Sequence, residues 1–479
     1  MALPDHKTKL VCTIGPASAA PETMSQMLEA GMNVARLNFS HGDFAAHRTV
    51  IERLRGAASA AGKRLTIMAD LPGPKMRIGQ LQEEPIELCR DQEFTLTSDE
   101  IVGDRSRASV SFEQLPAVVK PHDTLFLNDG IIRLEVMRVE GHDIHCRVTV
   151  GGELRSRKGL NLPGIDLGIS AFTEHDRECL KFALENGVDA ISQSFVETAA
   201  DVAAVRNAAA ILGYHPFIIA KIERAGALTR ADEIIKAADG VMIARGDLGV
   251  EIPVETMAVV QMQLTTQANL LGKPVITATQ MLESMVEHCR PTRAEATDVA
   301  NAILDGTDCV MLSEESAMGK YPVEAVVMLS KIAAATEPHR TDDRLRQALA
   351  AHGRDGNGRL ADLIALNVRN TLEHADPTAV IVPTATGYTA RMISRFKLPV
   401  WVTAVSRDAA TCQGLHFSYG VFPVQLDDLP HDWNAFARQW LDTQGLLPGL
   451  VVLTSGPSRA NPAANNRLEI IDLAAKSGS

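Results

Sequence analysis

Residues 217–248 read FIIAKIERAGALTRADEIIKAADGVMIARGDL. An apolar, β-branched run ends in Lys221 and Glu223; a helical stretch follows, and a second apolar run ends in Arg245 and Asp247. Runs with little polar interruption read as strands buried on both faces, the pattern of a parallel sheet covered by helices. Working outward, the same unit recurs. Runs at 8–15, 34–40, 65–71 and 189–196 precede the pair at 217–223 and 240–248, and runs at 274–280 and 309–316 follow, making eight strands. Helical segments separate them. At 173–187, Thr173 reads as an N-cap, Asp176 sits near the positive helix start, and Gly187 stops the helix. Eight strand–helix units predict an α/β fold built on a closed (β/α)8 TIM barrel.

The barrel is assigned to residues 1–71 and 171–340. Between its third and fourth strands, residues 72–170 are strand-rich and turn-rich, and are read as an inserted small β-barrel domain able to move as a lid. RTDDRLRQALAAHGRDGNGR, from 340 on, reads as an exposed connection. Residues 341–479 form a separate α/β domain, with strands near TAVIVP, VWVTAVS, VFPVQL and LVVLTSG.

Composition narrows the function classes. Of 479 residues, 59 are acidic and 47 are Lys or Arg, a net charge of −12 that disfavours nucleic acid or an anionic membrane as partner. No apolar run approaches the roughly 20 residues that span a bilayer. The start, MALPDHKTKL, lacks a secretory layout, and seven scattered cysteines without a CxxC pair read as free thiols in the cytoplasm.

Barrel enzymes hold their reactive groups at the carboxyl ends of the strands. Here those ends carry Arg36, Asn38 and Ser40, then Asp70, Ser194, Lys221 with Glu223, Arg245 with Asp247, Thr277 with Thr279 and Gln280, and Ser313 to Glu315. Spaced by two, Lys221 and Glu223 point to the same side of one strand. They read either as a structural ion pair or as chemistry. In the second case, Glu223 and Asp247 are hard oxygen ligands suited to Mg²⁺ or Mn²⁺, and Lys221 faces the negative charge that spreads in phosphoryl transfer. Arg36 suits a phosphate. Asn38, Ser40 and Asp70 offer oxygens for a monovalent cation, and His41 reads as a hydrogen-bonding or a catalytic residue.

Together these segments resemble one family, the pyruvate kinases. The resemblance runs through KTKLVCTIGPAS, MNVARLNFSHG, KGLNLPG, IAKIERAGAL, GVMIARGDLGVEIP, GKPVITATQMLESM and PTRAEATDVANAILDGTDCVMLSEESAMGKYPVEAV, in family order. It implies phosphoryl transfer from phosphoenolpyruvate to ADP, giving pyruvate and ATP in the final step of glycolysis. Carried over, Arg36 contacts the substrate phosphate and Lys221 stabilises the transferring group and the enolate. Glu223 and Asp247 hold the divalent ion. Ser194 belongs to the substrate site, and Gly246, Asp247 and Thr279 hold the substrate carboxylate. Asn38, His41, Arg77 and Lys158 face the nucleotide. The enolate is protonated through Thr279 and a water, or by Lys221. The family also implies a homotetramer.

Departures from the family pattern matter as well. The usual DTKGPEIRTG is DLPGPKMRIG here, so Lys75 replaces a Glu, and Leu71 replaces a Thr of the potassium pocket otherwise made by Asn38, Ser40 and Asp70. A fixed ammonium substitutes electrostatically for K⁺, so the expected enzyme works without added potassium. SEES stands for SGET, which puts Glu314 at the eighth strand's end. VPTATGYTARMISRF resembles the family's effector-phosphate loop: Thr384, Thr386, Gly387 and Thr389, with Arg459, are the predicted contacts. Ala385 and Tyr388 stand where many fructose-bisphosphate-activated relatives have basic residues, which favours a sugar monophosphate or AMP. Two other readings remain: a metal-dependent pyruvate aldolase or lyase, and a non-catalytic phosphosugar sensor.

Overall fold

The structure, a computed structural model, describes residues 3–165, 167–341, 343–354, 360–456 and 465–473. Eight parallel strands close into a barrel. In spatial order they are Lys9–Thr13, Cys309–Leu312, Val275–Ala278, Gly240–Ala244, Phe217–Ile222, Ala190–Gln193, Thr66–Leu71 and Met32–Asn38. Val11, Val34, Met68, Ile219, Met242 and Ile276 fill the interior, so the barrel is a core and not a pore. Its amino-end floor is sealed from outside: Phe417, from the C-terminal domain, stacks on Phe217 with ring centres 5.1 Å apart.

Most strands are shorter than the runs read in sequence, and two of the runs pass straight into helices. The run at 240–248 is a strand only to Ala244, because Arg245–Glu251 turns into a short helix that carries Gly246 and Asp247 in its first turn. The run at 309–316 likewise ends at Leu312, before the helix Glu314–Ala317.

Residues after Leu71 leave the barrel for a curled six-stranded sheet with a two-stranded ribbon beside it. That unit has its own core around Phe94, Leu96, Leu125, Leu134 and Val148. The chain returns to the barrel through a reciprocal cap. Thr173 Oγ1 accepts from the Asp176 amide, and Asp176 accepts from the Thr173 amide at 2.8 Å. The other Asp176 oxygen accepts from Gly73 N at 2.9 Å, so one buried carboxylate pins both roots of the insertion. Gly73 itself has φ +65, and a Cβ there would lie 2.9 Å from the Phe195 ring.

The segment expected as an exposed connection contains a helix, Asp343–Arg354. Its Leu, Ala, Arg and Gln are strong helix formers, and Leu345 is buried. Beyond it a five-stranded sheet runs in the order Val421–Gln425, Val402–Ser406, Ala379–Pro383, Leu450–Ser455 and Arg467–Asp472. The last strand is antiparallel and was not anticipated, since RLEIID at a sheet edge buries little.

Candidate active site at the carboxyl rim of the barrel

Lys221 organises the rim. Its ammonium reaches Ser194 Oγ at 2.7 Å, Glu223 Oε1 at 2.8 Å and Asp70 Oδ2 at 3.2 Å. Three donors meet three acceptors, so the side chain is locked in one position. Ser194 donates its own O–H to the Leu71 carbonyl at 2.7 Å, which fixes the hydroxyl as an acceptor toward the lysine. Burial disfavours charge on Lys221, but Asp70 and then Glu223 outweigh it and hold its pKa above the ordinary lysine value.

Arg36, three strands away, gives Nε to Asp70 Oδ2 at 2.9 Å and Nη1 to Thr13 Oγ1 at 2.9 Å, and its Nη2 also bonds Asp70 Oδ2. Of five guanidinium N–H groups, three are engaged, which leaves donors for an incoming anion. Asp70 is the shared counter-ion, with Ser192 on its other oxygen at 2.7 Å. Burial pushes its carboxyl up; Lys221 and Arg36 more than reverse this, and it stays ionised.

Glu223 has the opposite balance. Its second oxygen accepts from the Phe195 amide at 2.7 Å. Burial raises its pKa, Lys221 opposes the rise, and the neighbouring Asp247 adds to it. Two neighbouring carboxylates are hard oxygen donors of the kind a divalent cation takes. Among the described residues no group of three His, Cys, Asp or Glu converges, so the protein offers this pair and leaves other positions to substrate oxygens and water. That suits Mg²⁺, which keeps waters and substrate phosphates in its shell.

Thr279 and Gln280 end their strand in left-handed backbone, φ +71 and +53, which is costly for a β-branched residue. Thr279 Oγ1 accepts from Gly246 N at 2.7 Å. Arg245 braces this turn from behind, bonding the Thr279 carbonyl at 2.7 Å and Asp298 at 2.7 Å, and so does not enter the basin.

Arg77 and Lys158 come together at the two roots of the insertion: Arg77 pairs with Gly159 across an isolated bridge, and Ile78 N bonds the Lys158 carbonyl. Lys75 is exposed and lines the cleft between barrel and insertion, together with Asp129, Asn161, Phe195, Arg224 and Asp247. Desolvation, then Arg77, Lys75 and Arg36, push the His41 imidazole below its ordinary range, against a smaller upward pull from Glu314.

The predicted monovalent-cation set is placed less uniformly. Asn38 ends its strand and its Oδ1 accepts from Ser40 N at 3.1 Å, so Ser40 lies beyond the strand face on which the sequence reading put it. Leu71 is fully buried, and its carbonyl accepts from Ser194 Oγ. In the C-terminal domain Thr384 Oγ1 accepts from Gly387 N, with Thr386 and Thr389 in the same loop and helix start. Arg459 lies outside the described residues.

Sequence reasoning missed Thr13, Ser192 and the Phe195 amide, which hold Arg36, Asp70 and Glu223. Ser192 was open to inference, because it alternates with Ser194 on one strand face. The other two depend on neighbouring strands and carry no local signal.

Comparison with known proteins fits this geometry. The family model "Pyruvate kinase, barrel domain" matches residues 5–326, and "Pyruvate kinase, alpha/beta domain" matches 362–471. The chain belongs to the pyruvate kinase family. A pyruvate kinase of Thermococcus litoralis is 47% identical over 431 residues, covering 89% of this chain and 90% of that protein. One from Geobacillus stearothermophilus is 40% identical over 484 residues, covering 98% of this chain and 81% of its own. The crystal structure of a pyruvate kinase from Cryptosporidium parvum superposes with a TM-score of 0.89 at 34% identity, over 98% of this chain and 96% of that one. As a pyruvate kinase, the protein is a phosphotransferase. No described helix is long and apolar enough to cross a membrane.

Proposed function

We propose that the rim transfers the phosphoryl group of phosphoenolpyruvate to ADP, yielding pyruvate and ATP, as the closing step of glycolysis in the cytoplasm. The observation that carries this reading is the locked Lys221 ammonium beside Glu223, with Asp247 near enough to raise the Glu223 carboxyl. The free donors of Arg36 take the substrate phosphate. Gly246, Asp247 and Thr279 orient the carboxylate end. Lys221 faces the bridging oxygen as its bond to phosphorus breaks and a β-phosphate oxygen of ADP takes its place. The enolate then receives a proton at its methylene carbon, from a water held by Thr279. Glu223 and Asp247 would hold Mg²⁺ or Mn²⁺, which supplies Lewis-acid stabilisation of the phosphoryl charge. Asn38, His41, Arg77 and Lys158 meet ADP as the insertion closes as a lid over the rim. The test is ADP-dependent pyruvate release from phosphoenolpyruvate; an aldolase, a lyase or a non-catalytic sensor gives none.

Potassium is dispensable in this reading. Asp70 is already paired with Arg36 and Lys221, and Lys75 adds a fixed cation to the neighbouring cleft. Full activity is expected in a buffer free of potassium and sodium, and strong activation by K⁺ contradicts it. The loop at Thr384, Thr386, Gly387 and Thr389 is the proposed seat of an activating sugar monophosphate or AMP, in a homotetramer that links it to the rim.

A further inference from the structure

A cavity of about 540 Å³ opens where the outer helices of the barrel meet the segment leading into the C-terminal sheet. It is not part of the rim. Asp305 and Gly306, on its wall, lie just before the strand Cys309–Leu312, at the amino end of the barrel. It also shares no residue with the 384–389 loop.

One wall is apolar: Val259 and Met262 from the helix Met257–Leu270, and Leu304 from the helix Arg293–Asp305. The other is cationic. Lys397 is spent on Asp308, 2.6 Å away and equally buried. Arg344 pairs with Asp305 at 2.8 Å, yet its side chain is 58% exposed, so it is free to turn inward.

Arg340 is the unusual member. Its guanidinium centre sits 4.4 Å from the Tyr419 ring centre, and Nη2 donates to the Thr307 carbonyl at 3.0 Å. A hydrogen bond also ties the Arg340 and Tyr419 side chains, and among the described residues no carboxylate pairs with Arg340. A partly buried guanidinium with no carboxylate partner favours an anion beside it. Asp305 is the one acidic residue lining the cavity among those described, and it already serves Arg344. A guanidinium held beside an aromatic ring, with a second guanidinium nearby, is the recognition chemistry of phosphate oxygens.

We infer that this cavity is a separate binding site for a small phosphate monoester, its head between Arg340 and Arg344 and its organic body on Val259, Met262 and Leu304. The volume is in the range of small-molecule sites. Because Arg340 also holds the Thr307 carbonyl, an occupant bears on the barrel wall as well as on the seam between domains.

The test is equilibrium dialysis of the full chain against inorganic phosphate and against phenyl phosphate, a monoester with a plain apolar body. Phenyl phosphate is expected to bind more tightly than inorganic phosphate. Arg340→Gln and Arg344→Gln should each weaken one class of site at least tenfold, and Thr386→Ala should leave that class intact. Steady-state turnover without either phosphate should stay within twofold of wild type. The exposed Arg344 variant keeps the test sound if Arg340→Gln fails to fold. Curves for Arg344→Gln that superimpose on wild type overturn the inference. So does an arginine-dependent change in self-association with phosphate binding unaltered, because the cavity is then filled by a second copy of the chain.

Discussion

Both ends of the barrel bury charge, and they treat it differently. On the amino-end floor, several ionic and polar groups are answered by the C-terminal domain. Lys9 donates to the Val421 carbonyl at 2.8 Å, and Asp308 binds Lys397 at 2.6 Å while accepting the Tyr419 amide at 2.9 Å. His416 is buried against the Asn33 carbonyl at 3.3 Å. At the carboxyl rim, Arg36 and Lys221 share Asp70, Arg36 keeps unused donors, and Glu223 faces another carboxylate. These floor contacts pair charge with partner and join two domains. The rim is unfinished, completed only by substrate and metal. Burial of charge alone therefore does not mark an active site; burial with valence left over does.

The contrast can be broken first on the floor. Lys397→Met leaves Asp308 buried without its cation and should cost about 3–5 kcal/mol of stability, with kcat within a few-fold of wild type; denaturant unfolding beside an activity assay checks both. A large loss of kcat at unchanged stability would erase the distinction between the two ends. Next is pH. Burial, then Lys9, push the His416 imidazole down to about 3, whereas the unfolded residue titrates near 6.5. The unfolded chain thus binds a proton that the native state refuses. Its contribution is fully present above 6.5 and is lost as pH falls toward 3, by about 2 kcal/mol at pH 5. His416→Gln should flatten the stability profile in that window, as seen in urea midpoints. Smallest is the exchange Lys75→Glu at the rim. It should leave stability unchanged, lower the rate without potassium about tenfold, equivalent to about 1.4 kcal/mol, and make added K⁺ activating.

Much of this was open to reading in sequence. The barrel declares itself because each strand is a short apolar run ending in polar residues, and AKIE places Lys221 and Glu223 on one face by alternation alone. What escaped was set by tertiary contact. RGDLGVE holds two glycines, which read as a turn, yet it winds into a helix once Arg245 is anchored to Asp298 and to the Thr279 carbonyl. The edge strand Arg467–Asp472 buries little and so carries a weak pattern. Thr13 and Phe195 serve the site through a hydroxyl and a backbone amide, and no residue type announces either role.

The central claim is that an ammonium fixed by Asp70, Ser194 and Glu223 drives phosphoryl transfer. The direct measurement is steady-state, ADP-dependent pyruvate formation by wild type and by Lys221→Met at saturating phosphoenolpyruvate and Mg²⁺. The account predicts a fall in kcat of about a thousandfold or more, on the order of 4 kcal/mol, with little change in the KM for phosphoenolpyruvate. A Lys221→Met enzyme that is folded and retains wild-type kcat would contradict it.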